Sequence, residues 1–203
     1  ISFSRDGKLM ATAAGDNRAI VWQLDNRKQM HVLEHDAAVY VAALSPDGTI
    51  VATGTGENTL SLWNVENGER LKQLAAHRDA IYSVAFSHDG TQIASAGGST
   101  DGGDTTCRLW GNDLKNLSQY KGHKRQVYGL AFSHDDKLLA SGSSDKTIRI
   151  WNLESGEHRE FKGHTSDVYR IAFSPDQRQL ASVSQDGSVR VWDVETGDVI
   201  EVY

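Results

Sequence analysis

Residues 167–176 read DVYRIAFSPD, and the phrase returns as AVYVAALSPD from Ala38, AIYSVAFSHD from Ala80 and QVYGLAFSHD from Gln126. The chain opens on ISFSRD, the tail of a fifth copy. Valine or isoleucine, alanine and phenylalanine suit a buried strand. A tyrosine held at one place in every full copy, as Tyr40, Tyr82, Tyr128 and Tyr169, is not required by a strand and asks for a separate reason.

Working outward from that phrase, the tryptophans Trp22, Trp63, Trp110, Trp151 and Trp192 follow one another at intervals of 41, 47, 41 and 41 residues. The histidines His35, His77, His123 and His164 recur at 42, 46 and 41. A period of this length is that of one propeller blade. The long interval holds an insertion, GGSTDGG from Gly97 to Gly103, whose composition suits a mobile loop. Within the fourth period the apolar runs are VYGLAF, KLLASGS, TIRIWN and HREFK, separated by SHDD, SDK and LESG. Turn signals at such spacing, β-branched and aromatic runs, and only two prolines predict antiparallel strands and no helices. Each period is therefore one four-stranded sheet. A sheet this small cannot bury both faces alone, so the sheets must stack on one another. The repeat units run over about 1–34, 35–76, 77–122, 123–163 and 164–203, together forming one domain, 1–203.

Composition narrows the function classes. The chain has 203 residues, 38% hydrophobic and 24% charged, enough for a sizeable core and far from the make-up of a disordered chain. A formal net charge of −6 argues against nucleic acid and against an anionic membrane surface as partners. The single cysteine, Cys107, cannot form an internal disulfide, so nothing calls for an oxidising compartment, and the expected location is the cytoplasm. No apolar run is long enough for a membrane-spanning helix.

At this point the residues resemble a known family, the WD-repeat β-propellers, over essentially the whole chain. The match rests on GH, then V-Y-x-x-A-F-S-x-D, then L-A-S-x-S-x-D-x-[TS]-[IV]-R-[IV]-W-[ND], repeated in order. The resemblance implies an all-β WD-repeat β-propeller. Five four-stranded blades are visible, and they are expected to be part of a larger propeller of about seven. A closed five-bladed ring is the second choice, and assembly of several chains through open edges the third. Open sheet edges also make self-association an expected partner mode.

The resemblance also bears on a trio that imitates a hydrolase triad. The fourth and fifth units carry His123, Ser143 and Asp145, and His164, Ser184 and Asp186. In the family such groups, with the tryptophan six residues after the aspartate (Trp151, Trp192), form a buried structural network. A buried aspartate needs donors and an indole N–H needs an acceptor, so the chemistry fits. An enzyme needs one site, whereas this chain repeats the set, so no catalytic residue is expected. Departures predict weaker networks elsewhere: Glu57 and Thr55 in the second unit, Asp104 with Gly102 at the serine place in the third, and Asp16, Ala14 and Trp22 in the first.

Other chemistry finds little footing. His88 and His134 stand where Pro46 and Pro175 stand in the S-P-D turn, which makes them exposed turn residues. No histidine pair has helical zinc spacing and one cysteine cannot make a thiolate cluster, so no metal and no cofactor is expected. GTGENT from Gly54 lacks the third glycine of a dinucleotide loop and reads as a hairpin turn, and DGGD from Asp101 offers too few oxygens for calcium.

In the family, side chains at the loop-bearing mouth of the central channel contact partner peptides. The matching positions here are Tyr40, Tyr82, Tyr128 and Tyr169, with Ala38, Ala80, Gln126 and Asp167 before them. Gly15, Gly56, Gly103, Ser144 and Gln185 precede the turn acid. Four rigid phenols around one mouth would give contact area at low entropy cost. The competing reading is that the tyrosines merely fill the rim. The expected function is a non-catalytic scaffold binding a protein or peptide at this mouth. The alternatives are a regulatory segment of a larger enzyme and a purely structural self-assembly module.

Overall fold

Each repeat folds as four antiparallel strands because its apolar runs are five or six residues long and are broken by turns that only a left-handed residue or a glycine completes. A computed structural model describes residues 1–99, 101 and 103–203. The first sheet comprises β1 (Ser2–Phe3), β2 (Leu9–Ala14), β3 (Arg18–Gln23) and β4 (Lys28–Glu34), and the second β5 (Val39–Leu44), β6 (Ile50–Thr55), β7 (Thr59–Asn64) and β8 (Arg70–Ala75). The third holds β9 (Ile81–Phe86), β10 (Gln92–Gly97), β11 (Cys107–Gly111) and β12 (Asn116–Tyr120). The fourth holds β13 (Val127–Phe132), β14 (Leu138–Ser143), β15 (Thr147–Asn152) and β16 (His158–Lys162), and the fifth β17 (Val168–Phe173), β18 (Gln179–Ser184), β19 (Val189–Asp193) and β20 (Val199–Val202). In every sheet the strands lie in sequence order, so each is a meander. No helix occurs among the described residues.

The turn into the second strand is pinned the same way five times. Ser4, Ser45, Ser87, Ser133 and Ser174 each donate a hydroxyl to the aspartate two residues on, at 2.6–2.7 Å. In all five turns that aspartate also accepts from the backbone N–H of the residue two further on. Serine and aspartate are chosen here because their short side chains can satisfy turn backbone that a ladder cannot reach.

The sheets pack face to face in chain order. One cluster joins Ala11, Val21 and Leu33 of the first sheet to Val39, Leu44, Val51 and Trp63 of the second, and the pattern continues to Ile148, Ile150 and Phe161 against Val168, Leu180 and Trp192. Every large side chain fully buried in such a seam stabilises by about 1.5–3 kcal/mol. Substantial contacts between sheets link consecutive ones only, through the innermost strands β5, β9, β13 and β17. The outer faces of the end sheets stay uncovered, with Phe3 exposed on the first and Val183 and Val189 on the fifth. The five unclosed sheets have the architecture of a partial propeller.

The ladder between first and second strands contains the answer to the tyrosine question. In the second, fourth and fifth sheets the register jumps between Val39 and Val41, Val127 and Gly129, and Val168 and Arg170. In the third, Ile81 pairs with Gly97 and Ser83 with Ala96. The residue skipped is Tyr40, Tyr128, Tyr169 and Tyr82 respectively. Each tyrosine is the extra residue of a β-bulge, a device that bends the strand and re-aims one side chain.

Candidate interaction site and its polar clamps

Behind the mouth, each of the last two sheets carries a chain of hydrogen bonds that runs in one direction. In the fourth sheet Asp145 Oδ2 accepts from His123 Nδ1 at 2.9 Å and from the backbone N–H of Lys124 at 2.9 Å. With its proton on Nδ1, His123 presents a bare Nε2 that accepts from Ser141 Oγ at 2.7 Å, and Ser141 Oγ accepts from Trp151 Nε1 at 2.9 Å. The fifth sheet repeats this with Asp186, His164, Ser182 and Trp192 at 2.8, 2.7 and 2.8 Å. Burial alone would raise Asp145 and Asp186. Bonds from the histidines, from Thr147 and Ser188 and from the backbone outweigh it and hold both carboxyls well below the usual carboxylate range.

The serine of the network is thus Ser141 and Ser182, a correction to the expected Ser143 and Ser184. Side chains two apart on a strand share a face, and it is the inner position that lies level with the indole. Ser143 and Ser184 close the following turn instead, accepting from Asp145 N at 3.0 Å and Asp186 N at 3.1 Å and donating to the carbonyls of Arg125 and Ser166. A signal for the inner position was present in the sequence. Thr12, Thr53, Ser95, Ser141 and Ser182 supply a hydroxyl in all five units, ten residues before the tryptophan in four of them.

That shift also corrects the third unit. Gly102, read as its serine, lies outside the described residues, while Ser95 bridges His77 Nε2 at 2.7 Å and Trp110 Nε1 at 2.8 Å. Despite the insertion, Asp104 returns to within 3.2 Å of His77 Nδ1, a longer contact than in the next two sheets. In the second unit Thr53, not Thr55, joins His35 to Trp63, and Glu57 is exposed, so His35 Nδ1 donates to the carbonyl of Leu33 at 2.8 Å. Burial pushes the His35 pKa down, outweighing smaller upward effects of the Leu33 carbonyl and of Asp36 and Glu34. In the first unit only Trp22 to Thr12 remains, at 2.9 Å.

Ser141, His123 and Asp145 have the connectivity of a hydrolytic triad. A nucleophile must reach a substrate, however, and Ser141 is fully buried with its oxygen already accepting from an indole. The arrangement is a clamp that, in the second to fifth sheets, ties the loop before the sheet to its second and third strands.

At the mouth the four tyrosines form one continuous arc. Tyr40 and Tyr82 stack in parallel at 5.4 Å between ring centroids and 3° between planes, Tyr82 meets Tyr128 edge-on at 5.2 Å, and Tyr128 meets Tyr169 at 5.4 Å. The terminal rings are the exposed ones, Tyr40 at 49% and Tyr169 at 37%, whereas Tyr82 and Tyr128 are half-buried between neighbours. Burial pushes the Tyr82 and Tyr128 phenols up, aided by Tyr40 and Asp79 at the first and by Asp167 at the second, so both stay protonated donors at neutral pH. Tyr40 lies over Gly56, where a Cβ would come within 3.1 Å of its hydroxyl. Arg170 braces the other end by donating to the carbonyls of Tyr128 and Tyr169 at 3.0 and 2.9 Å. A cleft of about 480 Å³ opens beside Tyr40 and Tyr82 and is lined further in by Phe86, Leu130 and Arg170.

Two expected contact residues are not available. Gln126 and Ser144 are each 5% exposed and bond to one another, Ser144 Oγ donating to Gln126 Oε1 at 2.9 Å. Asp167 is partly exposed and Gln185 exposed, the latter accepting from Ser166 Oγ at 3.1 Å. His88 and His134 are exposed turn residues, edge to face at 4.9 Å, with His88 beside Asp136.

The profile described as WD domain, G-beta repeat matches residues 68–111, 114–152 and 156–193, more than half of the chain. The chain belongs to the WD-repeat family. Each matched segment of this WD-repeat protein begins at the outermost strand of one sheet and ends on the third strand of the next, so the sequence repeat stitches neighbouring blades together. Residues 1–89 are in addition similar to the anaphase-promoting complex subunit 4 WD40 domain. No curated protein matches the chain. WD-repeat domains generally mediate protein–protein interaction and are typically non-catalytic.

Proposed function

We propose that this WD-repeat chain is a non-catalytic scaffold that binds a segment of a partner protein across the tyrosine arc. The observation that carries this reading is the bulge repeated in four sheets. Each bulge turns a phenol out of the ladder, and together they set four rings in continuous contact along one mouth. Packing alone would be served by any residue that fills the rim, whereas exposed, rigid rings with hydroxyl donors are the groups enriched where binding energy concentrates. Asp167 and Gln185 supply polar rim contacts in this reading. The acidic balance disfavours a nucleic-acid partner, and the reading places the chain in the cytoplasm, with Cys107 buried and unreactive. Similarity of residues 1–89 to a domain of a named complex subunit supports a role inside an assembly.

The test substitutes the exposed ends of the arc. Proteins captured from extract by the wild-type chain should be lost on combining Tyr40→Ala and Tyr169→Ala, with the melting temperature nearly unchanged. Capture that persists in the double variant, or recovery of nothing but copies of the chain itself, overturns the proposal in favour of rim packing or self-assembly.

A further inference from the structure

The repeats allow one sheet to be read against the next. In the fourth sheet Arg149 of β15 faces Glu160 of β16 in register, with Nη2 3.0 Å from Oε2, and the same carboxylate holds Lys162 at 3.2 Å. In the third sheet Arg108 and Lys121 occupy the places of Arg149 and Lys162, but the residue in register with Arg108 is Gln119. The two cations have lost their shared acid. Arg78, one residue after the clamp histidine, adds a third. Among the described residues neither Arg78 nor Lys121 belongs to any ion pair.

These groups line a cleft of about 370 Å³ with Gln119, Thr105 and Asp104. Asp104 is the acid that lines it and its oxygens are taken, and Asp79 sits beside it, Oδ2 accepting from the backbone N–H of Asp104 at 2.6 Å. Asp104 Oδ2 accepts from the backbone N–H of Arg78 at 3.0 Å and from Arg108 Nη2 at 2.9 Å, while Asp104 Oδ1 accepts from Thr106. Three cations against Asp104 and the adjoining Asp79 leave the cleft one positive charge in a chain whose net charge is −6. A single carboxylate would balance that charge but offers only two acceptor oxygens. A phosphate monoester carries about −1.5 to −2 at neutral pH and offers three acceptor oxygens to guanidinium and ammonium donors.

We infer that this cleft docks a phosphorylated side chain of a partner protein, in the position that Glu160 fills one sheet later. The site is separate from the tyrosine arc and stands or falls independently of it. The probe is a degenerate seven-residue peptide mixture with a central phosphoserine, compared with its serine counterpart and with inorganic phosphate. The wild-type chain should retain the phosphoserine mixture and not the serine one. Gln119→Glu, which installs the acid the fourth sheet already tolerates, should weaken retention at least tenfold with melting unchanged. Lys121→Gln should weaken it severalfold, and Tyr40→Ala should leave it intact. Equal retention of both mixtures, or full binding by Gln119→Glu and Lys121→Gln, overturns the site. Inorganic phosphate competing as tightly as the peptides overturns the partner assignment and makes the ligand a free anion.

Discussion

Ser141 and Ser143 are two residues apart, chemically identical, and unequal. Removing the Ser141 hydroxyl leaves the His123 Nε2 acceptor and the Trp151 indole N–H buried without partners, whereas Ser143 serves only a turn. Ser141→Ala should therefore cost about 2–4 kcal/mol in urea unfolding and Ser143→Ala about 1 kcal/mol or less. Lys146 has φ of 72°, in the place of Asn17, Asn58 and Gly187. A long side chain gains nothing from the left-handed region, so Lys146→Asn should stabilise by about 0.5–1 kcal/mol. The clamp aspartates set the acid limit. Asp104, Asp145 and Asp186 have folded pKa values below their unfolded ones, so they contribute stability above about pH 4 that is lost as pH falls from there toward the folded values. Melting temperature should drop through that window, and Asp145→Asn should flatten the drop while lowering the plateau. At this scale the sequence placed the histidine, aspartate and tryptophan correctly. It misplaced the hydroxyl because two serines on one strand face satisfy the same motif, and only the depth of the indole chooses between them.

Strands and turns were the most legible level. VYGLAF, TIRIWN and HREFK fold as written, as β13, β15 and β16, and KLLASGS loses only Lys137 from β14. Their lengths and turn residues leave no competing period. The bulges were not legible, because a one-residue register jump changes no apolar pattern that a single strand displays. They still leave a mark on the partner strand. Gly97 sits opposite the bulge of β9, and a Cβ there would lie 1.8 Å from the carbonyl of Ala80. Gly97→Ala should cost about 3 kcal/mol or more, or abolish folding, as a circular dichroism melt will register. A related rule governs the seams. Gly142 lies under Val168, 2.8 Å from where its Cβ would be, while the corresponding residue of the fifth sheet, Val183, has no sheet over it and is exposed. Between the third and fourth sheets a turn side chain adds to the seam. Asp136, at φ of 57°, accepts from the backbone N–H groups of His88 and Asp89 at 2.7 and 2.9 Å. The glycines at its place in other turns, Gly7, Gly48 and Gly90, have no side chain with which to do so.

Across the whole molecule, cohesion passes only from each sheet to the next, which makes stability nearly a sum of units and junctions. The arrangement of sheets followed from the period alone. The mouth did not, since Gln126 and Ser144 occupy the right positions yet are buried and bonded to one another, a pairing that neither position spells out alone. The tyrosine arc crosses three of the four junctions, alongside the apolar seams. Because Tyr40 and Tyr82 lie parallel at 5.4 Å, their electronic transitions are coupled, while Trp151 and Trp192 are sealed away from solvent. The protein therefore contains its own dichroic gauge: anything that settles on the phenols should alter the near-ultraviolet bands of tyrosine and leave indole emission still.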